Sequence, residues 1–160
     1  MKPREIRKYI LADHAFLRGM LDELDQRAFR VLEGREDEIS ALRDWGLSFL
    51  SKFAEHLAFE DRFLAPALRA AGLAGVEHSK HLADDHREQR ELLSYILSGL
   101  RDRDRPAQVV AEELRGLVEL ILDDMAHEEM TIIKGSVLRD PDLRPSPRHT
   151  SSNSIPTTSR

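Results

Sequence analysis

The sequence of 160 residues contains no cysteine. Disulfide bonds, thiolate zinc sites and cysteine redox chemistry are therefore excluded. No apolar run approaches the length of a membrane span, and the first residues, MKPREIRKYILADH, lack an apolar signal core. A net charge of −5 gives no electrostatic support for binding nucleic acid. We therefore expect a cytoplasmic protein that binds neither nucleic acid nor a membrane.

What the sequence does contain is amphipathic periodicity. Apolar residues recur mostly at three- and four-residue steps, which predicts four helices over residues 4–32, 39–70, 77–100 and 106–138. Pro66 should kink or shorten the last turns of the second helix, because proline cannot donate the interior hydrogen bond. Residues 71–75, rich in glycine and alanine, are predicted to form a turn. The pattern indicates an all-α protein, with one four-helix bundle over residues 1–139.

The last 21 residues, 140–160, have a different composition. Proline, serine and threonine dominate this segment, and no apolar period continues into it. Such a composition cannot bury enough apolar surface to offset the entropy of ordering the chain. We therefore predict a disordered C-terminal tail.

The two halves of the predicted bundle resemble each other faintly. Residues 11–14 (LADH) are similar to residues 82–86 (LADDH), and H-x-x-x-E at 56–60 is similar to D-x-x-x-E at 124–128. An arginine stands four residues after His14 and another four residues after His86, at Arg18 and Arg90. Two such hairpins packed face to face would bring their polar residues to one central level.

Seven residues that can bind a metal ion lie on the apolar stripes of these helices or at their edges: His14, His56, Glu60, His86, Asp124, His127 and Glu128. A lone histidine on an apolar face is more often a hydrogen-bonded core residue than a ligand. Together, however, these residues lie at similar depths in the predicted bundle and at equivalent positions of the two similar halves. A metal ion can satisfy many such buried polar groups at once. We therefore predict a metal site inside the bundle.

The donor types narrow the choice of metal. Imidazole nitrogen and carboxylate oxygen favour iron, manganese or zinc over copper(I), which prefers sulfur. Glu60 and Glu128, from different helices, could each bridge two ions with their two oxygens. The histidines would then bind the ions from the sides, together with either Asp124 or His127. The alternative without a metal site is a helical scaffold in which the buried polar residues form hydrogen-bond networks with one another.

The residues resemble those of a known family, the hemerythrin-like or HHE cation-binding domains. The resemblance rests on Asp13-His14, on HLAFEDRFL at 56–64, on Asp85-His86 and on DMAHEE at 124–129, and it covers residues from about 5 to 138. It implies an up-down-up-down bundle with two non-haem iron ions, which an oxo group could join. It also implies reversible dioxygen binding, or sensing and redox chemistry with oxygen, nitric oxide, peroxide or iron.

The chain departs from the family pattern at two places. Asp124 stands where family members usually have histidine, and His127 follows three residues later. Leu82 occupies the position of a second histidine in the oxygen-carrying members, with His81 one residue out of register. Fewer histidines and more carboxylates favour redox turnover or iron handling over oxygen carriage.

Two functions from different classes follow. The first is a di-iron protein that binds, senses or reacts with dioxygen or a small reactive oxygen or nitrogen species. The second is an iron-responsive interaction module, in which metal occupancy controls stability or the binding of a partner. The sequence offers no acid, base or nucleophile beyond the metal shell, so any enzymatic turnover would fall to the metal itself. The small partner would be a diatomic molecule or peroxide.

Overall fold

A computed structural model describes residues 1–133 and Leu138. Its helices are α1 (Pro3–Leu32), α2 (Ile39–Phe59), α3 (Ala65–Ala70), α4 (Leu73–Arg101) and α5 (Ala107–Glu128). A π-helical turn joins α2 to α3, so that the two form one long helix. The described residues thus make an all-α, up-down-up-down four-helix bundle, which confirms the predicted fold class. Within them, no helix is long and apolar enough to cross a membrane. The tail prediction for 140–160 lies outside the described residues.

The ends of α1 illustrate how the sequence sets the helix boundaries. Pro3 occupies the first turn, where its missing N–H would be unpaired in any case. At the other end Gly34 adopts a φ of 95°, which is the left-handed conformation that glycine favours. The Arg35 N–H then donates to the Arg30 carbonyl at 3.0 Å. This Schellman arrangement closes the helix and turns the chain toward α2.

Pro66 does not end the second long helix, which continues to Ala70. The helix instead widens into the π-helical turn Glu60–Leu64 just before the proline. A second π-helical turn, Glu129–Ile133, follows α5 at the corresponding place of the repeat, and no proline is near it in the sequence. The proline alone therefore does not cause the π-helical turns. Such turns often mark functional positions in helices.

The third long helix begins earlier than predicted, at Leu73 instead of residue 77. Gly72, with a φ of 105°, makes the turn almost alone. Gly75 is part of the helix, and it is needed there for packing: a Cβ at this position would lie 2.0 Å from the Leu68 carbonyl oxygen. The glycines that suggested a longer turn therefore serve two purposes, one for the turn and one for a close approach between α3 and α4.

The bundle has two apolar clusters. The larger includes Leu17, Phe53, Leu93 and Met125. The smaller includes Ile10, Leu64, Leu82 and Ile132. On each long helix, a predicted metal-binding residue lies in the sequence between a member of one cluster and a member of the other. The fold thereby places a buried polar layer between two apolar ones.

Candidate metal centre

Five of the seven predicted residues meet in this polar layer, and all five are buried: His14, His56, Glu60, His86 and Glu128. The Nε2 atoms of His14 and His56 are 3.3 Å apart. Glu60 lies 3.0 Å from His86 Nε2 and 3.3 Å from His56 Nε2. Glu128 lies 3.5 Å from His14 Nε2. Single donor atoms of His14, His56, Glu60 and Glu128 all lie within 4.8 Å of one another, as the ligands of one cation do.

Each of the three histidines is also held from outside by a carboxylate. The Nδ1–oxygen distances are 2.8 Å for His14–Glu129, 2.8 Å for His56–Asp13 and 2.7 Å for His86–Asp61. An ionised carboxylate can only accept a hydrogen bond, so each Nδ1 carries the proton. An imidazole whose only proton is on Nδ1 has its lone pair on Nε2, which faces the interior in all three residues. Carboxylate–histidine pairs of this kind orient the histidine ligands of metal ions.

Two arginines hold the outer carboxylates in turn. Arg18 donates to Glu129 at 2.9 Å, and Arg90 donates to Asp61. Burial would raise the pKa of both carboxyl groups, but hydrogen bonds from the arginine and the histidine outweigh it and lower the pKa of Asp61 and of Glu129. Both carboxylates are therefore ionised at neutral pH and able to hold the Nδ1 protons.

The two buried carboxylates of the cluster, Glu60 and Glu128, have a different electrostatic environment. Burial, followed by the negative charge of Glu128, raises the pKa of Glu60 well above its usual value. Burial would also raise the pKa of Glu128, but its hydrogen bonds with His14 and Glu60 lower it. In each residue Oε1 is buried and accepts no hydrogen bond from the described part of the chain. Two buried oxygens without partners, beside inward nitrogen lone pairs, fit a cation.

The histidines share the same conflict of charge. Burial would lower the pKa of His14, but hydrogen bonds and negative charge from Glu128 and Glu129 outweigh it and raise the pKa. The pKa of His56 is lowered, first by burial and then by the positive charge of His14. The buried histidines and glutamates therefore cannot all be ionised at the same time. A bound cation would take the place of the protons that these groups otherwise hold.

The structure separates the two remaining predicted residues. Asp124 is half-buried at the edge of the cluster and accepts a hydrogen bond from Gln89. Burial, then the charges of Glu128 and Asp85, raises the pKa of Asp124. His127 is exposed and lines surface cavities. Of the two, Asp124 is therefore the one that adjoins the buried donors.

A family model described as the Hemerythrin HHE cation binding domain matches residues 5–134. The chain belongs to this family. No curated protein and no solved structure gives a significant match. Membership of a cation-binding family and the buried histidine–glutamate cluster both point to a metal site.

The two halves of this hemerythrin-like chain differ at a pair of residues that touch. In the repeat, Gln89 corresponds to the buried Leu17, and Asp124 corresponds to His56. The Gln89 side chain donates to Asp124, so the two departures from the repeat form one contact. Gln89 was not among the predicted site residues. Its signal was available, because extending the repeat by three residues beyond His86 places Gln89 opposite an apolar core position.

The outer carboxylates were also missed as functional groups. Asp13, Asp61 and Glu129 stand in the family motifs, but no role was predicted for them. Their signal was the pair Arg18 and Arg90, each repeated four residues after a histidine. That repetition indicates that each arginine has the same kind of partner. The structure supplies this partner from the opposite half of the chain, Glu129 for Arg18 and Asp61 for Arg90.

Proposed function

We propose that this chain is a non-haem di-iron binding protein that binds, senses or reacts with dioxygen or a small reactive oxygen or nitrogen species. The observation that carries the proposal is the common orientation of three buried imidazoles. Each is held at Nδ1 by a carboxylate, and each directs Nε2 toward one of two buried glutamates, Glu60 or Glu128. Histidines buried only for packing have no reason to share this arrangement.

The position of Glu60 supports two ions. Its Oε1 is 3.3 Å from His56 Nε2, whereas its Oε2 is 3.0 Å from His86 Nε2. The two oxygens of one carboxylate thus face histidines from different halves of the chain. A carboxylate that faces two donor groups in this way is suited to bridge two cations. We therefore allot His14 and His56 to one ion, His86 and Asp124 to the other, and Glu60 and Glu128 to both.

Iron fits this donor set, because it accepts both imidazole nitrogen and carboxylate oxygen. When bound, iron would supply the redox chemistry toward dioxygen, nitric oxide or peroxide. The contribution of the chain is to hold the donors in place. Asp13, Asp61 and Glu129 keep the Nδ1 protons fixed, so that the Nε2 atoms stay available to the ions.

The surroundings of the site favour small uncharged ligands. The Phe53 ring stacks on His56 with ring centroids 5.8 Å apart. Apolar clusters lie on both sides of the polar layer along the bundle. A bulky or charged ligand would lose its hydration there without finding new partners. Dioxygen, nitric oxide and hydrogen peroxide would lose little.

The direct test is the metal content and absorption spectrum of protein purified after iron-replete expression. We expect about two iron ions per chain and absorption bands that change when dioxygen reaches the reduced protein or when peroxide is added. Iron near zero would contradict the proposal. A bulky anion that binds tightly at the metals would contradict the assignment of small ligands.

Glu60→Ala tests the bridging role. We expect the variant to lose at least one iron equivalent per chain, because Glu60 faces both metal positions. Glu91→Gln is the control, since Glu91 is an exposed acidic residue of α4. A Glu60→Ala variant that keeps its full iron content would remove Glu60 from the site.

One observation favours the second function, an iron-responsive interaction module. The unpartnered oxygens of Glu60 and Glu128 lie in the layer between the two apolar clusters, so metal occupancy should control the stability of the whole bundle. A spectrum that does not respond to small ligands, combined with a large metal-dependent rise in melting temperature, would select this function. The cytoplasmic location and any protein partner remain predictions.

A further inference from the structure

We infer that divalent cations enter and leave the centre between α4 and α5. There an acidic mouth, formed by Asp85, Glu88, Asp123 and Asp124, and the His127 imidazole pass the cations to the buried donors. The inference rests on the proposed function, because it assumes that the buried cluster binds metal. It goes beyond that function in assigning a route, a side of the bundle and a role to a histidine that does not belong to the cluster.

Two adjoining cavities form the route. The inner cavity, of about 260 Å³, is lined by the buried His86 and Glu128 and also by the exposed His81. It therefore connects the donors of the centre with the surface. The outer cavity, of about 510 Å³, lies farther along the same helices. Both cavities share three lining residues: Asp85, Asp124 and His127.

One residue that lines each cavity has a buried side-chain oxygen without a hydrogen-bond partner among the described residues. Glu128 is 7% exposed and lines the inner cavity, and its Oε1 accepts no hydrogen bond from the described residues. Gln89 is 7% exposed and lines the outer cavity, and the same holds for its Oε1. Buried polar atoms are rarely left unpaired in proteins. Oxygens without donors along one route are suited to a cation and not to an anion.

The charge of the mouth agrees with this choice. Four acidic residues line the outer cavity: Asp85, Glu88, Asp123 and Asp124. Among the described residues that line either cavity there is no lysine and no arginine. A cleft lined by charges of one sign raises the local concentration of the opposite ion and accelerates its association. Cations are therefore drawn to this side of the bundle, and anions are repelled from it.

His127 stands at the rim of both cavities, and its side chain is exposed. It lies one residue before Glu128 and three residues after Asp124 on the same helix. An imidazole at this place can bind a cation while it still holds water and then release it inward. This role explains why a histidine near the site is outside the buried cluster. His127 is thus a transfer residue and not a resident ligand.

The test uses the full-length, metal-free protein and Co²⁺, whose visible absorption reports its binding. Asp85→Asn combined with Glu88→Gln removes two charges from the mouth. The matched control, Glu91→Gln combined with Glu119→Gln, removes two charges from exposed positions of the same helices that line neither cavity. At low salt we expect the mouth variant to take up Co²⁺ about tenfold more slowly than wild type, whereas the control does not. High salt should abolish the difference.

His127→Ala completes the test. We expect slower uptake and slower release of Co²⁺, with the same number of ions bound at equilibrium. Equal rates in the mouth variant and its control would overturn the inference, because the cations would then enter elsewhere. A lower stoichiometry in His127→Ala would also overturn it, because His127 would then be a resident ligand. A wild-type chain that binds no Co²⁺ or iron would overturn the proposed function itself.

Discussion

Glu60 is a carboxylate with 1% of its surface exposed, in a layer enclosed by apolar clusters. A buried charge is costly unless it has partners, and one oxygen of Glu60 has no hydrogen-bond partner among the described residues. Without metal, the residue must therefore keep a proton or destabilise the fold. With metal, the same burial becomes an advantage, because low polarity strengthens the attraction between a carboxylate and a cation.

This conflict predicts a pH dependence of the metal-free protein. The pKa of Glu60 is raised in the folded state above its usual 4.5, so the folded state holds the proton more strongly than the unfolded state. Its stabilising contribution is complete below pH 4.5 and is lost as the pH rises through the folded-state pKa. Over that window the free energy of unfolding of wild type should fall relative to Glu60→Gln by about 1.4 kcal/mol per pH unit.

Urea unfolding of both proteins in the presence of a chelator, at a series of pH values above 4.5, measures this difference. Glu91→Gln, an exposed change of the same type, should run parallel to wild type. Parallel curves for wild type and Glu60→Gln would show that Glu60 has no raised pKa in the folded protein.

A second prediction at this scale concerns the helix α5 donor. Asp124→Ala should lower the iron content by up to one equivalent, because Asp124 adjoins Glu128 and His86 at the edge of the cluster. His127→Ala should leave the iron content unchanged, since that side chain is exposed. Elemental analysis of both variants against wild type decides between them. The opposite pattern would make His127 the ligand and Asp124 a neighbour.

At the scale of the helices, the corner between α3 and α4 is set by one small residue. Gly75 lets the first turn of α4 lie directly against the Leu68 carbonyl, and Ala71 also packs at this place. The corner matters for the site, because α3 continues the helix that carries His56 and Glu60, and α4 carries His86. A shift at the corner would move these two sets of donors relative to each other.

Gly75→Ala should therefore destabilise the protein by about 1–3 kcal/mol, as overpacking does in tight contacts. Gly116→Ala is the matched control: it lies within α5, and a Cβ there meets no atom of the described residues within 4 Å. Alanine favours the helix over glycine, so this control should gain up to about 1 kcal/mol. Chemical unfolding of the metal-free variants measures the change in the free energy of unfolding for both substitutions. A neutral Gly75→Ala would show that the corner can relax.

At the scale of the whole molecule, each half holds one histidine of the other half. His14 of the first half is held by Glu129 of the second, and His86 of the second half is held by Asp61 of the first. Metal binding would add further bonds across the same layer. Occupancy of the site should therefore be coupled to the folding of the complete bundle and not only to that of one hairpin.

Loading the site should raise the melting temperature of the whole bundle. At free metal about a thousandfold above the dissociation constant, binding contributes about 4 kcal/mol, or roughly 10 °C for a domain of this size. Calorimetry of metal-free and iron-loaded protein should show one transition that moves as a unit. Glu60→Ala should show a much smaller shift. Two separate transitions, with only one of them sensitive to metal, would contradict the coupling between the halves.

Much of the fold followed from local features of the sequence. The apolar period predicted four helices, because helical side chains repeat their direction every three to four residues regardless of what they contact. The period could not predict the π-helical turns or the start of α4 at Leu73, because these depend on how neighbouring helices approach. Gly75 shows this most clearly, since it was interpreted as a turn residue and is in fact a contact residue of the helix.

The sequence by itself determined the donor types and their depth in the bundle, because residue chemistry and helical phase are local properties. The family model matches the part of the chain that contains these donors, residues 5–134. Only the tertiary structure decided which groups meet. His14 and Glu129 are separated by 115 residues in the chain, and Gln89 and Asp124 by 35 residues. Asp124 and His127 differ by a small rotation about one helix, and only the packing of the other helices leaves Asp124 half-buried beside the donors and His127 exposed.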